Sequence, residues 1–268
     1  MQGRPFPKRG KMEKTAIITG GTSGLGKELK KLYESDGYRV CVLARSCDDE
    51  TKDEYACDVS DEAQVTAAVE KIAAKYGRID VVVNNAGMGV LGASELIPTD
   101  DIRRAFDVSY YGALNVTRAC LKHMLRGGRI IFICSIAAYI PVPFRSPYSS
   151  AKAAELMLCM ALRMELKKAG ITVVGICPGE IKTNFSANRA SEVSTNERYG
   201  DRPQAALDRI AQKTPKRMPA EKAAKKIYKK CRKGRKAVYV IGGKYRFFRF
   251  AQRFVPSTFF MEMTDKFS

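Results

Sequence analysis

A chain of 268 residues, 45% hydrophobic and 28% charged, sits near the globular average, which excludes extensive disorder and is long enough for one large open α/β domain with a sizeable core. Charge is the departure: 47 basic residues against 28 acidic ones give +19, and sixteen of the basic residues fall between Lys213 and Arg253 beside the single acid Glu221. Eight scattered cysteines without a CxxC pair, with His123 the one imidazole, argue against a metal site or disulfide scaffold, and the lack of any run of 18 apolar residues argues against a membrane-spanning helix.

Residues 1–12 are basic and run into a strand without the apolar stretch of a signal peptide. They read as a flexible basic leader, the first eleven residues frayed or lying upstream of a start at Met12, and the protein is expected to be cytoplasmic with reduced thiols. Thr15 to Thr19 is an apolar run that meets a glycine cluster, after which Leu25, Leu29, Leu32 and Tyr33 recur at helical spacing. Strands follow at Arg39 to Ala44 and around Tyr55 to Cys57, with a link too short for a full crossover helix. A helix then presents Val65, Ala68, Val69 and Ile72, and Ile79 to Val83 reads as a buried strand. The alternation continues with a helix from about Asp101 to Leu125, a strand Arg129 to Cys134, a helix Tyr148 to Lys168 and a strand Ile171 to Cys177. Beyond Thr183 the chain reads as polar and irregular until a helix from Pro219 to Arg232 and a last strand Ala237 to Ile241. Such alternation predicts a Rossmann-type doubly wound parallel sheet with helices on both faces. The catalytic domain is expected over 13–243, including a lid at about 184–215, with a basic aromatic extension over 244–268.

Three groups of residues carry chemistry. Thr19 to Gly26 reads TGGTSGLG between a strand and its helix, where backbone N–H groups and the positive helix end can hold a pyrophosphate, the glycines at 20, 24 and 26 permitting the tight turn. The next strand ends in Ala44, Arg45 and Ser46; a guanidinium there suits the 2′-phosphate of NADP, which an acid would repel. Tyr148 and Lys152, in YSSAK, share one helical face, with Ser135 at the end of the preceding strand. An ordinary tyrosine ionises near pH ~10, so proton exchange near neutrality needs about 4 kcal/mol of help, which an adjacent ammonium and a nicotinamide cation have the sign to supply. Ser135 would hydrogen-bond the substrate oxygen as charge develops on it.

With TGGTSGLG, NNAG at Asn84 to Gly87, Ser135, YSSAK, and PGEIKT at Pro178 to Thr183 in this order, the chain from about Lys14 to Ile241 resembles the short-chain dehydrogenase/reductase family. The resemblance implies a seven-stranded sheet, Tyr148 as catalytic acid/base, Lys152 holding the nicotinamide ribose and making the phenol more acidic, and Ser135 positioning the carbonyl. It implies NADP(H) as cofactor, gripped by the turn residues Gly20, Thr22, Ser23, Gly24, Leu25 and Gly26, with Arg45 and Ser46 at the 2′-phosphate and Asp58 and Val59 at the adenine. Asn85, Ala86 and Gly87 would lie along the adenosine ribose, and Pro178, Gly179, Ile181 and Thr183 around the carboxamide. One position departs from the pattern: Ser109, in DVSYYGAL, stands where members of the family carry an asparagine that supports a water chain to the lysine.

The loop with Ala137, Ile140, Val142 and Phe144 is expected to line the substrate side together with Phe185, favouring a small apolar ketone or alcohol, a hydroxysteroid first and a ketolipid or ketoacyl compound next. In the tail, Phe247, Phe250, Ala251 and Phe254 fall at helical spacing among arginines. Such a helix suits its own domain, a neighbouring subunit of a homodimer or homotetramer, the substrate mouth, or an anionic membrane as peripheral contact. A non-catalytic dinucleotide-binding protein is the alternative from another class, and no nucleic-acid module is recognisable.

Overall fold

Runs such as Ala16, Ile17, Ile18 and Val81, Val82, Val83 have no polar face, so strands made from them must be covered on both sides. In the computed structural model, which describes residues 13–47, 49–183, 189–190, 193–213, 215 and 217–267, they lie in the middle of a seven-stranded sheet. Its strands are β1 (Lys14–Thr19), β2 (Tyr38–Ala44), β3 (Glu54–Ala56), β4 (Ile79–Asn84), β5 (Met124–Ile133), β6 (Thr172–Pro178) and β7 (Val238–Ile241). All pairings are parallel and the order is β7-β6-β5-β4-β1-β2-β3.

Helices α1 (Gly24–Ser35) and α7 (Ala220–Lys233) cover one face; α2 (Glu62–Tyr76), α4 (Gly112–Leu121) and α5 (Ser146–Glu165) cover the other. Because strand side chains alternate, adjacent residues serve different cores. Ile17, Val82, Ile130 and Val173 pack against α2, α4 and α5, whereas Ile18, Val83, Ile131 and Val174 pack against α1 and α7. The strand order reverses between β1 and β4, which leaves a crevice at their carboxyl ends, where α1 also begins.

The link to β3 agrees with the expectation, and several other boundaries differ from it. The short link to β3 is a single turn, Glu50–Lys52, as its length requires. The helix expected over 101–125 is α3 (Thr99–Phe106), a wide π-type turn Asp107–Tyr111 and then α4, which stops at Leu121. Ile79 N–H donates to His123 O, and Met124 pairs with Ile79, so the sheet takes over the end of that helix. The stretch read as irregular contains α6 (Arg202–Lys213), whose polar composition hides its two buried residues, Pro203 and Ala206. Beyond β7 the extension forms α8 (Gly243–Ala251) and an unforeseen α9 (Ser257–Phe267), anchored by buried Phe260. The expected leader, 1–12, and Phe185 lie outside the described residues.

Candidate active site

The glycine turn is built from backbone conformations and close approaches that side chains would prevent. Gly20 and Gly24 have φ of +63° and +53°. A Cβ on Gly26 would lie 2.3 Å from Gly20 O, so Gly26 lets helix and turn touch, and it does not itself line the crevice. β4 braces the same turn: Asn85 Nδ2 donates to Thr19 O at 2.9 Å and Gly20 O at 3.3 Å, while Thr19 Oγ1 accepts from Asn85 N and Ala86 N. The Asn85 amide is thus occupied by the turn, and Ala86 and Gly87 continue along the crevice wall. Ser23, at the N-cap of α1, makes no side-chain cap, so the first amides of that helix are available to an anion.

On one flank Arg45 is exposed at the end of β2, and Ser46 Oγ donates to Thr22 Oγ1 at 3.4 Å. Asp58 and Val59 follow β3. Burial works against the Asp58 carboxylate, but hydrogen bonds from Ser60 and the fields of Arg45 and Arg104 outweigh it and hold the acid below its ordinary range. This flank thus carries two arginines, Arg45 and Arg104, beside Asp58 and Asp101, with Arg104 an addition that no motif announced.

On the other flank Ser135 follows β5, buried, its Oγ accepting from Ala137 N at 3.1 Å. Tyr148, Lys152 and Glu155 share the buried face of α5. Lys152 Nζ donates to Ile133 O at 3.1 Å and to Glu155 Oε2 at 2.7 Å. Burial pulls the lysine down, but Glu155 and then Tyr148 outweigh it and leave it raised to about 12. The Arg145 guanidinium lies 4.9 Å from the centre of the Tyr148 ring, a second cation beside the phenol. Neither Arg145 nor Glu155 was singled out by motif. Ser109, expected among the catalytic residues, is buried in the wide turn, outside the crevice lining, with no hydrogen-bond partner for its Oγ among the described residues.

Both flanks open into one cavity of about 1250 Å³. Ser135, Tyr148, Lys152, Ala137, Ile140 and Val142 line it with the glycine turn, Pro178, Gly179, Ile181 and Thr183. Phe144 does not. It adopts φ of +60°, and its ring meets Tyr199 and Arg202. The missing apolar wall comes from further along the chain, from Ala206 and Ile210 of α6, Tyr245 and Phe248 of α8, and Phe260 and Met263 of α9. Gly179 admits this roof, since a Cβ there would meet the Tyr245 ring at 1.8 Å. A cradle of this shape, with open helix amides, arginines on one flank and room for a dinucleotide plus a further small molecule, fits a pyridine nucleotide lying across the switch point.

A family model described as short chain dehydrogenase matches residues 14–194. Dehydrogenase/reductase SDR family member 7B of Mus musculus is 33% identical over 202 residues, covering 69% of this chain and 62% of that protein, so the chain spans less than two thirds of that relative. The 3-ketodihydrosphingosine reductase of Bacteroides thetaiotaomicron is 34% identical over 191 residues, covering 69% of this chain and 71% of that protein. Among solved structures, a short-chain dehydrogenase from Streptomyces avermitilis superposes with a TM-score of 0.79 at 25% identity, covering 91% of this chain and 93% of that one.

Proposed function

The chain belongs to the short-chain dehydrogenase/reductase family of oxidoreductases, and from that premise we propose that it interconverts a ketone and a secondary alcohol with NADP(H), on a largely apolar substrate. The observation that carries this reading is Tyr148 and Lys152 on one buried helix face, in the same cavity as Ser135 and the glycine turn. The family binds a nicotinamide dinucleotide, which supplies and accepts the hydride. Arg45 supports the phosphorylated form, because its charge suits a phosphate on the adenosine ribose.

The side chains have separable tasks. Amides at the start of α1 and the glycine turn hold the pyrophosphate; Lys152 holds the ribose next to the ring and adds a positive field at the phenol. Ser135 donates a hydrogen bond to the substrate oxygen, and Tyr148 gives that oxygen a proton in reduction or removes one in oxidation. The roof excludes water from the reacting pair.

A cavity lined both by this apolar roof and by Arg145 suits an apolar body that also carries an anionic or polar substituent, so a ketolipid or ketoacyl compound stands beside a hydroxysteroid. A panel of ketosteroids, long-chain ketolipids and small ketones, followed by NADPH absorbance, tests the assignment. Turnover is expected with at least one of the first two classes, and turnover confined to small polar ketones would overturn the apolar reading.

No helix among the described residues is long and apolar enough to cross a membrane. The aromatic stripe of α8 nevertheless faces solvent: Phe247 and Phe250 are 67% and 58% exposed, and Phe254 just beyond is 73% exposed. Phe248 and Tyr245 face the cavity instead, while Arg249 stacks on Tyr139 at 4.1 Å. This favours peripheral contact with an anionic lipid surface at the cavity mouth. Flotation with anionic liposomes is expected to recover the protein and to lose it when Phe247 and Phe250 become serine; recovery unaffected by those changes speaks against docking through α8. Exposed Tyr111, Met157 and Met164 support self-association as a dimer or tetramer.

A further inference from the structure

Glu155 is fully buried one turn beyond Lys152, and the roles given above do not use it. Its Oε2 accepts from the Lys152 ammonium at 2.7 Å, while its Oε1 has no hydrogen-bond partner among the described residues. The wide turn Asp107–Tyr111 packs against α5, and it contributes Ser109 Oγ, also buried and without a partner. Two departures are thus found on α5 and on the turn packed against it: an acid buried beside the lysine, and a serine where the family resemblance leads one to expect an amide.

An ammonium has three N–H donors. Ile133 O and Glu155 Oε2 take two of those of Lys152, which sets its rotation and leaves one for the cofactor and Tyr148. A buried ion pair adds little net stability compared with apolar residues of the same volume, whereas removal of one partner strands the other charge. Orientation and charge retention are accordingly what this pair can supply. We propose that Glu155 is a positioning residue for the oxidoreductase reaction, clamping the Lys152 ammonium so that its remaining N–H is presented to the nucleotide and the phenol.

The inference rests on the role given to Lys152 under the proposed function. Burial pushes the Glu155 carboxyl up to about 7 against the pull of Lys152. The other titratable groups around it are Tyr148 beside Lys152, Cys159 on α5, and Cys134 and Cys177 at the ends of β5 and β6. The thiols of Cys134 and Cys159 are pushed up by burial and stay neutral, whereas Glu155 titrates near neutrality. As the pH falls through about 7 it takes up a proton and loosens its hold on the ammonium.

A double-mutant cycle on nucleotide binding tests this, with NADPH and NADH titrated in parallel by fluorescence. At a pH of about 8, Glu155→Gln is expected to weaken the preferred nucleotide about tenfold in the otherwise natural chain and less than about twofold in the Lys152→Met background. The ratio of the two Glu155 constants should shrink toward unity below about pH 7, since the proton then does what the substitution does. Equal losses in both backgrounds, no loss at all, or a ratio indifferent to pH would each overturn the proposal. Should the glutamine variant not fold, Glu155→Asp takes its place in the same cycle, with a smaller loss that again vanishes beside Lys152→Met. Failure of the natural chain to bind either nucleotide would overturn the functional reading itself; binding without coupling overturns this inference alone.

Discussion

Replacing Tyr148 by phenylalanine is expected to lower kcat by about 10³-fold, within the range that general acid catalysis contributes, and to leave the NADPH dissociation constant within about threefold. The ring fills the same space in the wall and keeps its face to the Arg145 guanidinium, so packing survives and only the exchangeable proton is lost. Rapid-mixing kinetics with the best substrate of the panel would read the chemical step, and nucleotide fluorescence the binding step. Turnover within about tenfold of the natural chain would remove Tyr148 from the mechanism, whereas joint loss of turnover and binding would point to a damaged fold.

Arg45→Glu is expected to weaken NADPH by about 30- to 100-fold while NADH changes by less than about threefold. On the proposed role of Arg45, the substitution would remove a charge-assisted contact with the 2′-phosphate and introduce a repulsive charge, and neither term exists for a free hydroxyl. Arg45 is exposed, so solvent limits the size of the effect, and Arg104 remains nearby as a second cation. The NADPH penalty should shrink as salt is raised, because screened charges lose their influence within a Debye length. Equal losses for both nucleotides would refute the role of Arg45 and with it the preference for the phosphorylated cofactor.

Much of the fold and half of the site are legible from local order in the chain. Apolar runs of strand length alternating with helical periodicity imply a parallel sheet, and the seven strands follow. The turn at Gly20 to Gly26 and the Tyr148, Lys152 pair are readable because neighbours in sequence make them. Residues within one turn of backbone adopt their relation whatever the rest of the molecule does. Misread elements have distant partners: α4 is cut short by β4, and α6 and α9 line a cavity that their own sequences do not reveal.

Glu155 marks the boundary between the two kinds of information. Its spacing of three from Lys152 was open to inspection, but such pairs most often lie on solvated helix faces, where they do little. Only the packing of α5 against the sheet takes both charges out of water and makes their contact consequential. The same holds for α8, whose aromatic stripe is evident by periodicity although the body of the protein receives Tyr245 and Phe248 and leaves Phe247 and Phe250 outside. By itself, then, the sequence determined the sheet, the glycine turn and the Tyr148–Lys152 helix face, since these rest on short-range geometry. The tertiary structure alone decided which side chains close the cavity, which charges are desolvated and which aromatics stay exposed, because those depend on what the chain brings together from far apart.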